Sequence, residues 1–582
     1  MTREWITGGT AAVNGTGIEG LADVCRAPAA RVRAAGDGVA AVAVVGDCPA
    51  GQQELSAALP AVRAGRWAKL TRWPGSYWVI ATGGRQQFVC GDLAGIRTVY
   101  YTPGEHRTAW AGEPGLLGRP LVPDPLVLTA RLAAGDQWPH RSPYEQVRQV
   151  PGGFGLLLVS GAPPQLVDLG DIEPVEELRD GAERFGRALT TAVRHRIRAA
   201  DEVAGADLSG GLDSSTALVL AADAGAGAVH AVTYTDGYTS GEDMAFAVRV
   251  AEHTGVRHTV AAGGDAQLPF GFRTGQPTGT EPVLEAAMYA MDSAYLYPVR
   301  GLGLHLTGHG GDVVLDSSAA CWVRLLQDGR RREAHRQVVA FARLRNTAPG
   351  PYWKALKQAA ALGRAGTLER AAAALEHGPV LPGAAMGGWS WCHLGAGASW
   401  LTAEGRHQVA ALLRQAAGDR QPQEADTFDQ WAALRSVGAS ARGWAPYADA
   451  LGVQPVYPYL DNEVVRAAFA VPALARRGLV TYKPLLRAAL PQLPGWLTSR
   501  RSKGSFTAQR IAGLARHRDL LEELIATSPL AAGGLIDPAA VRAALAQAAR
   551  GQSARVIADL HQLIVTCWWL TGQTAGREVT AC

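Results

Sequence analysis

"ADLSGGLDSSTAL", residues 206–218, places Ser209, Gly210, Gly211, Asp213, Ser214 and Ser215 within seven positions, after an apolar stretch and before an Ala/Leu/Val run. A strand that feeds a Gly-rich turn and then a helix makes an anion site, because free backbone N–H groups and the positive end of the helix dipole converge on the turn. Gly210 and Gly211 let the backbone approach closely, Ser209, Ser214 and Ser215 add hydroxyl donors, and Asp213 offers a carboxylate that a divalent cation bridges to phosphate. A simple helix cap needs one such residue, not six. The G-x-x-x-x-G-K-[ST] pattern of a Walker A loop is absent.

Strands and helices alternate outward from this stretch. "DEVAGADLS" reads as a strand and "SSTALVLAADAG" as a helix ended by Gly225; "AVHAVTYT", "VRHTVAA" and "GLGLHLTG" read as strands, with the helix "EDMAFAVRVAEHTG" between. Such alternation predicts a doubly wound parallel sheet. Upstream, Leu178, Phe185, Leu189, Val193 and Ile197 follow helical spacing, and Pro174 suits a first turn. Before about residue 171 the texture differs: "VAAVAVVGD", "GSYWVIATGGRQQFVCGD", "RTVYYT" and "GGFGLLLVSG" are short strand-like runs broken by Gly and Pro, the mark of a sheet-rich unit. Beyond about residue 318 the chain reads as mainly helical.

At 582 residues, two or three domains are expected. With 47% apolar and 19% charged residues and a net charge of +4, the chain is globular, and no charge excess points to nucleic acid. Only five lysines occur, Lys69, Lys354, Lys357, Lys483 and Lys503, so a lysine inside a motif is informative. The seven cysteines form no C-x-x-C pair and no zinc spacing. Their odd number, with no signal peptide, predicts a reducing cytoplasm. No apolar run approaches the roughly 20 residues of a membrane helix.

A second strand-to-loop motif, "LTGHGGDVVL" (306–315), falls where strand ends in an open sheet meet the first loop. The first loop resembles the pyrophosphate loop of the ATP pyrophosphatases, and the pair resembles the S-G-G-L-D-S-S and [ST]-G-x-G-x-D motifs of the asparagine synthetases and their relatives. "PVYPYLDNEVVRAAFAVP" (455–472) is similar to that family's V-P-F-L-D helix start, "YKPLLRAALPQLP" to its following helix, and "RRSKGSF" (500–506) to its R-x-K-x-x-F segment. "CGDLAGIRTVYYTPG" (90–104) is similar to the D-x-x-G-I-x-P-L-Y-Y of the glutamine amidotransferase domain. The resemblance implies ATP as co-substrate and Mg²⁺ held by Asp213 and Asp312. It implies a charge-neutralising Lys503, and adenine and ribose near Leu208, Tyr234 and Gly308.

Two departures from the family pattern shape the expected function. A working glutaminase exposes an N-terminal Cys thiol; here Thr2 follows Met1, and "VVGDCPAG" stands where the glutamine-holding N-G-E belongs. The domain reads as a degenerate glutaminase. The second departure is His309, at a position where asparagine synthetases carry Glu and β-lactam synthetases Tyr; His is a base near neutral pH, although a loop His that only hydrogen-bonds is the competing reading. Together these features look most like the lasso peptide cyclases, which adenylate an Asp or Glu side chain of a leaderless peptide and close a macrolactam with its N-terminal amine. A β-lactam-synthetase-like small-molecule amide ligase, an ammonia-using asparagine synthetase and a non-catalytic scaffold are the alternatives. Within the extra material, roughly 319–430, Trp389, Trp391 and Trp400 form a candidate peptide platform, with core packing favoured for any one of them. "GRRREAH" (329–335) is a candidate contact for an acidic peptide, with a solvated face favoured.

The expected architecture is therefore α/β. A sheet-rich, degenerate glutamine-amidotransferase-like (Ntn-type α+β) domain spans 1–170, and a doubly wound ATP-pyrophosphatase synthetase domain with a helical C-terminal part spans 171–582. Expected partners are a peptide substrate, a leader peptidase and a leader-binding protein, with no nucleic acid and no membrane insertion.

Overall fold

The strand Ala40–Asp47 is apolar on both sides, and both sides are covered. Successive side chains of a strand point to opposite faces. Ala41, Ala43 and Val45 pack with Trp78, Ile80 and Trp110, whereas Val42 and Val44 pack with Leu55, Leu59 and Val62 of the helix Gln52–Arg63. The computed structural model describes residues 4–9, 15–104, 108–175, 177–200, 203–378, 388–500, 504–553 and 556–580.

Two six-stranded antiparallel sheets make up the N-terminal part. One runs in the order Arg148–Val150, Val99–Thr102, Ala109–Ala111, Ile6–Gly8, Leu21–Arg26, Thr16–Ile18. The other runs Gln165–Asp168, Phe154–Val159, Gln86–Cys90, Ser76–Gly83, Ala40–Asp47, Val32–Gly36. The helix Leu178–Arg198 then carries Phe185, Leu189, Val193 and Ile197 into the core beneath the next sheet. Pro174 lies before this helix, whose N-cap is Glu177, so it does not form the first turn.

The third sheet has five parallel strands in the order Arg257–Ala262, Val229–Thr235, Ala204–Asp207, Gly303–Leu306, Val453–Val456. The strand order reverses between Ala204–Asp207 and Gly303–Leu306, which is where open α/β sheets bind ligands. The last strand is an addition to the sequence-based expectation: it is short and contains Pro455, which only an edge strand tolerates. Helices fill most of the remainder, the longest continuous one near the site being Ala425–Ala450. No helix among the described residues is long and apolar enough to cross a membrane.

Close packing and buried arginines join the N-terminal sheets to the rest. A Cβ on Gly438 would lie 1.9 Å from the Ala94 carbonyl oxygen, so only glycine lets the Ala425–Ala450 helix rest on that backbone. Arg196 reaches Asp47 at 2.8 Å and Asp461 at 3.1 Å. The Leu93 N–H donates to Asn462 at 2.8 Å, and Arg466 donates to the Thr71 and Leu169 carbonyls. Polar groups buried at such a seam need partners, and the arginine forks supply donors to backbone oxygens from both sides.

Candidate active site

The two motif loops meet at the point where the strand order reverses. Leu208–Gly211 follows the Ala204–Asp207 strand, and the helix Leu212–Gly225 begins at once. Ser214 Oγ takes the Ser209 N–H at 3.2 Å and lies 2.9 Å from Ser209 Oγ, closing the loop on itself. Gly210 has φ +73°, and a Cβ there would strike the Asp243 carbonyl. On the other side Thr307–Gly310 presses in: a Cβ on Gly308 would lie 2.5 Å from Ser214 N, and one on Gly311 2.5 Å from Asp213 Cγ. These glycines are steric requirements rather than flexible spacers.

Lys483 joins the two loops. Its Nζ lies 2.5 Å from both Asp213 oxygens and 2.7 Å from Asp312 Oδ1. The residue is buried and holds left-handed backbone (φ +49°) at the N-cap of the helix Pro484–Ala489, a conformation non-glycine residues keep only when surroundings impose it. Burial opposes its charge, but Asp213 and Asp312 outweigh burial and hold the ammonium above the usual lysine range. Arg500 fastens the first loop from behind, donating to the Gly210 carbonyl and to Asp243.

A cavity of about 550 Å³ opens over these groups, a size that suits a small-molecule ligand. Ser209, Gly211, Asp213, Ser214, Tyr234, Gly308, His309, Asp312 and Lys483 line it. Its other wall is acidic: Asp207, Glu285 and Asp292 all face it. Burial pushes the Asp292 carboxyl up to about 8; the Trp444 indole N–H, 3.1 Å away, opposes the shift, and the charges of Glu285 and Asp207 add to it. Asp207 in turn lies 2.6 Å from His305 Nε2. His309 Nε2 is 3.2 Å from the Val437 carbonyl. A carbonyl only accepts, so this bond places the proton on Nε2 and leaves Nδ1 with the lone pair.

The family model for asparagine synthase matches residues 184–570. The chain belongs to the asparagine synthase family. That family consists of ATP-dependent amide-forming ligases. No curated protein matches the chain. One matching solved structure is glutamine phosphoribosylpyrophosphate amidotransferase from B. subtilis complexed with ADP and GMP, at 10% identity and a TM-score of 0.16. That match covers 48% of this chain and 64% of the amidotransferase chain.

Within this member of the asparagine synthase family, the sequence-predicted residues fall into three groups. Ser209, Gly211, Asp213, Ser214, Tyr234, Gly308, His309 and Asp312 converge on one cavity. Leu208, Gly210 and Ser215 stand behind it: Leu208 is fully buried, with its N–H given to Val232 and its carbonyl accepting from the Thr233 hydroxyl. Lys503 and Thr2 lie outside the described residues, although Arg500 and Gly504, near Lys503, line the cavity. Sequence reasoning missed Lys483, Asp292 and Glu285. Lys483 carried a usable signal, being one of five lysines and lying inside a segment similar to the family's; the two acids carried none.

For the tryptophans the favoured core reading holds, and no platform forms. Trp391 and Trp400 are core residues, and Trp389 is partly buried with its indole N–H 2.6 Å from Asp429. Arg331, Arg332 and His335 line a shallow outer surface away from the cavity. In place of the missing glutamine-holding motif, Asp47 pairs with Arg196, and burial pushes the Cys48 thiol up to about 12.

The donor set fits magnesium. Asp213 and Asp312 aim hard oxygen donors at one cation, the Lys483 ammonium. Among the described residues no group of three or more His, Cys, Asp or Glu is placed so that it could hold a metal ion by itself. Two carboxylates complemented by phosphate oxygens and water are the usual holders of a magnesium ion delivered with a nucleotide.

Proposed function

We propose that this asparagine synthase family member is an ATP- and magnesium-dependent lasso peptide cyclase. It adenylates an Asp or Glu side chain of a leaderless core peptide and closes a macrolactam with the peptide's N-terminal amine, releasing AMP and pyrophosphate. The observation that carries the reading is the Lys483 bridge between Asp213 and Asp312, set over the first turn of the Leu212–Gly225 helix.

A carboxylate resists an amine because its leaving group is oxide. Attack of a substrate carboxylate oxygen on the α-phosphorus of ATP expels pyrophosphate and turns that leaving group into AMP. The loop of residues 209–215 receives the pyrophosphate on first-turn N–H groups and serine hydroxyls. Asp213 and Asp312 would hold magnesium, which neutralises phosphate charge when bound. Lys483 keeps the two carboxylates facing one point. Lys503 takes, by resemblance, a phosphate-neutralising role.

Ring closure needs the amine against the acyl carbon. Asp207 and Glu285, on the acidic wall, draw an ammonium into the cavity, and His309 Nδ1 accepts the proton as the C–N bond forms and AMP leaves. Holding both ends of one peptide converts a bimolecular step to a unimolecular one, worth roughly 7 kcal/mol or more. The sheet-rich N-terminal part then serves as a degenerate glutaminase that braces the synthetase. A peptidase acting earlier supplies the free amine.

Mass spectrometry of a linear peptide incubated with the protein and MgATP tests this. The peptide carries N-terminal Gly and an Asp or Glu several residues in. Loss of one water together with AMP release is expected. AMP release with no dehydrated peptide would move the activity to a small-molecule amide ligase, and no AMP with any peptide or amino acid offered would overturn adenylation.

A further inference from the structure

A second cavity, of about 310 Å³, lies on the other side of the Glu285–Ser440 pair. Both residues line both cavities, and the Ser440 hydroxyl donates to Glu285. The second cavity is walled by the N-terminal sheets, the Ala425–Ala450 helix and the helix that begins at Ile557.

Most cations there are already matched. Arg442 meets Glu281 at 2.7 Å, Arg131 meets Asp136 at 3.2 Å, and Arg364 donates to the Ala416 and Gln137 carbonyls. Arg435 differs. Its Nε donates to the Gly152 carbonyl at 2.9 Å, and its guanidinium faces the rings of Phe154 and Trp431. Among the described residues no carboxylate comes within ion-pair distance of it. Burial pushes it down to about 10, against weaker support from Asp168 and Asp136, so it keeps its charge at neutral pH. A half-buried cation with no carboxylate beside it is costly, and an incoming anion relieves that cost.

Two acceptors accompany it. Gln137 is only 7% exposed; its amide N–H groups go to Trp391 and Ala134, and its Oε1 has no partner. Gln149 donates to Pro139 at 3.0 Å, and its Oε1 is likewise unpartnered. Both glutamines line the cavity. One cation and two free carbonyl oxygens complement a chain that carries a negative charge and backbone N–H groups. An extended chain advances about 3.3–3.6 Å per residue, so a peptide whose reacting ends share the first cavity with a nucleotide has segments left to place.

We propose that the second cavity binds an anionic segment of the peptide substrate, its carboxylate paired with Arg435 and its backbone N–H groups donated to Gln137 and Gln149. This rests on the reading of the substrate as a peptide. The shared chemistry is a carboxylate, supplied by the peptide's C-terminus or by an acidic side chain past the acceptor residue.

The test compares wild type with Arg435→Met, Arg435→Lys and Ser436→Trp, the last filling the cavity from a residue that lines it. Fluorescence anisotropy, without ATP, measures binding of three labelled peptides: one with a C-terminal extension and free carboxylate, its C-terminal amide, and one ending at the acceptor residue. Arg435→Met and Ser436→Trp should each weaken the extended peptide at least about ten-fold, short of the loss for a fully buried charge pair because Arg435 is half-buried. Arg435→Lys should recover part of that loss, and the shortest peptide should bind all four proteins alike. An equal loss for the shortest peptide, or no loss for the extended one, overturns the proposal. Weak binding of the amide to wild type assigns the anion to the C-terminus; unchanged binding assigns it to an acidic side chain. AMP release is read in the same samples after adding MgATP. Selective binding without AMP or ring closure would sink the cyclase reading while upholding the cavity, and ring closure with no selective binding would do the reverse.

Discussion

Gly311 and Asp213 touch across the two motif loops: a Cβ on Gly311 would lie 2.5 Å from Asp213 Cγ and 2.8 Å from its Cβ. The glycine therefore sets where that carboxylate points. Gly311→Ala should displace it from Lys483 and lower AMP release at least about 100-fold. Because Asp213 Cβ is fixed to its helix, backbone as well as carboxylate must give way, and the melting temperature should fall by a few degrees too. A radiolabelled ATP–pyrophosphate exchange assay beside a thermal melt checks both numbers. Full exchange activity in the variant would refute the steric argument.

Lys483→Met removes the cation that both aspartates share. The carboxylates are then left facing each other, and adenylation should fall by about 100-fold or more, as expected when a preorganised charge is lost from a site of this kind. Lys483→Arg should recover little, since the planar fork does not fit a point between two close carboxylates. The linked pH effect follows from the raised pKa: this lysine's contribution to stability is fully present below its unfolded value of 10.5 and is lost as pH rises through the higher folded value. Alkaline melts of wild type should therefore fall more steeply than those of Lys483→Met.

Asp292 carries the opposite sign. Its folded carboxyl titrates near 8 against an unfolded value of 3.8, so the native state binds more protons between those limits. Stability then declines as pH rises from about 4 to 8. The groups facing Asp292 are Glu285, Asp207 and Trp444. Asp292→Asn should flatten that decline and raise the melting temperature at pH 8. A steeper decline in the variant would contradict the buried-acid account.

Arg196 is a structural counterpart, buried with Asp47 and Asp461 on either side. Burial raises the Asp47 carboxyl, but Arg196 and His195 more than reverse this and hold it below the usual carboxylate range. Arg196→Met leaves two carboxylates without their shared cation and should cost about 3–5 kcal/mol. The Asp47 contribution is present above pH 3.8 and is lost as pH falls through its lower folded value. Urea melts at pH 7 and pH 3 check this: the gap between wild type and variant should narrow at the lower pH.

What this sequence determined by itself is local and periodic. The Ser/Gly/Asp loop at 209–215, the second Gly-rich motif ending in Asp312, and the alternation of strands with the helices Leu212–Gly225 and Gly241–Thr254 are all visible, because turn chemistry and side-chain period act over a few neighbouring residues. Tertiary structure alone decided the rest. Lys483 reaches Asp213 across 270 positions of chain; Asp292, on a short helix with no distinguishing pattern, becomes a high-pKa acid only when the fold buries it and brings Glu285 and Asp207 near, against the opposing Trp444 hydrogen bond. Trp391 and Trp400 become core rather than platform for the same reason. Burial, and the charges that share a low-dielectric space, depend on which distant segments are brought together.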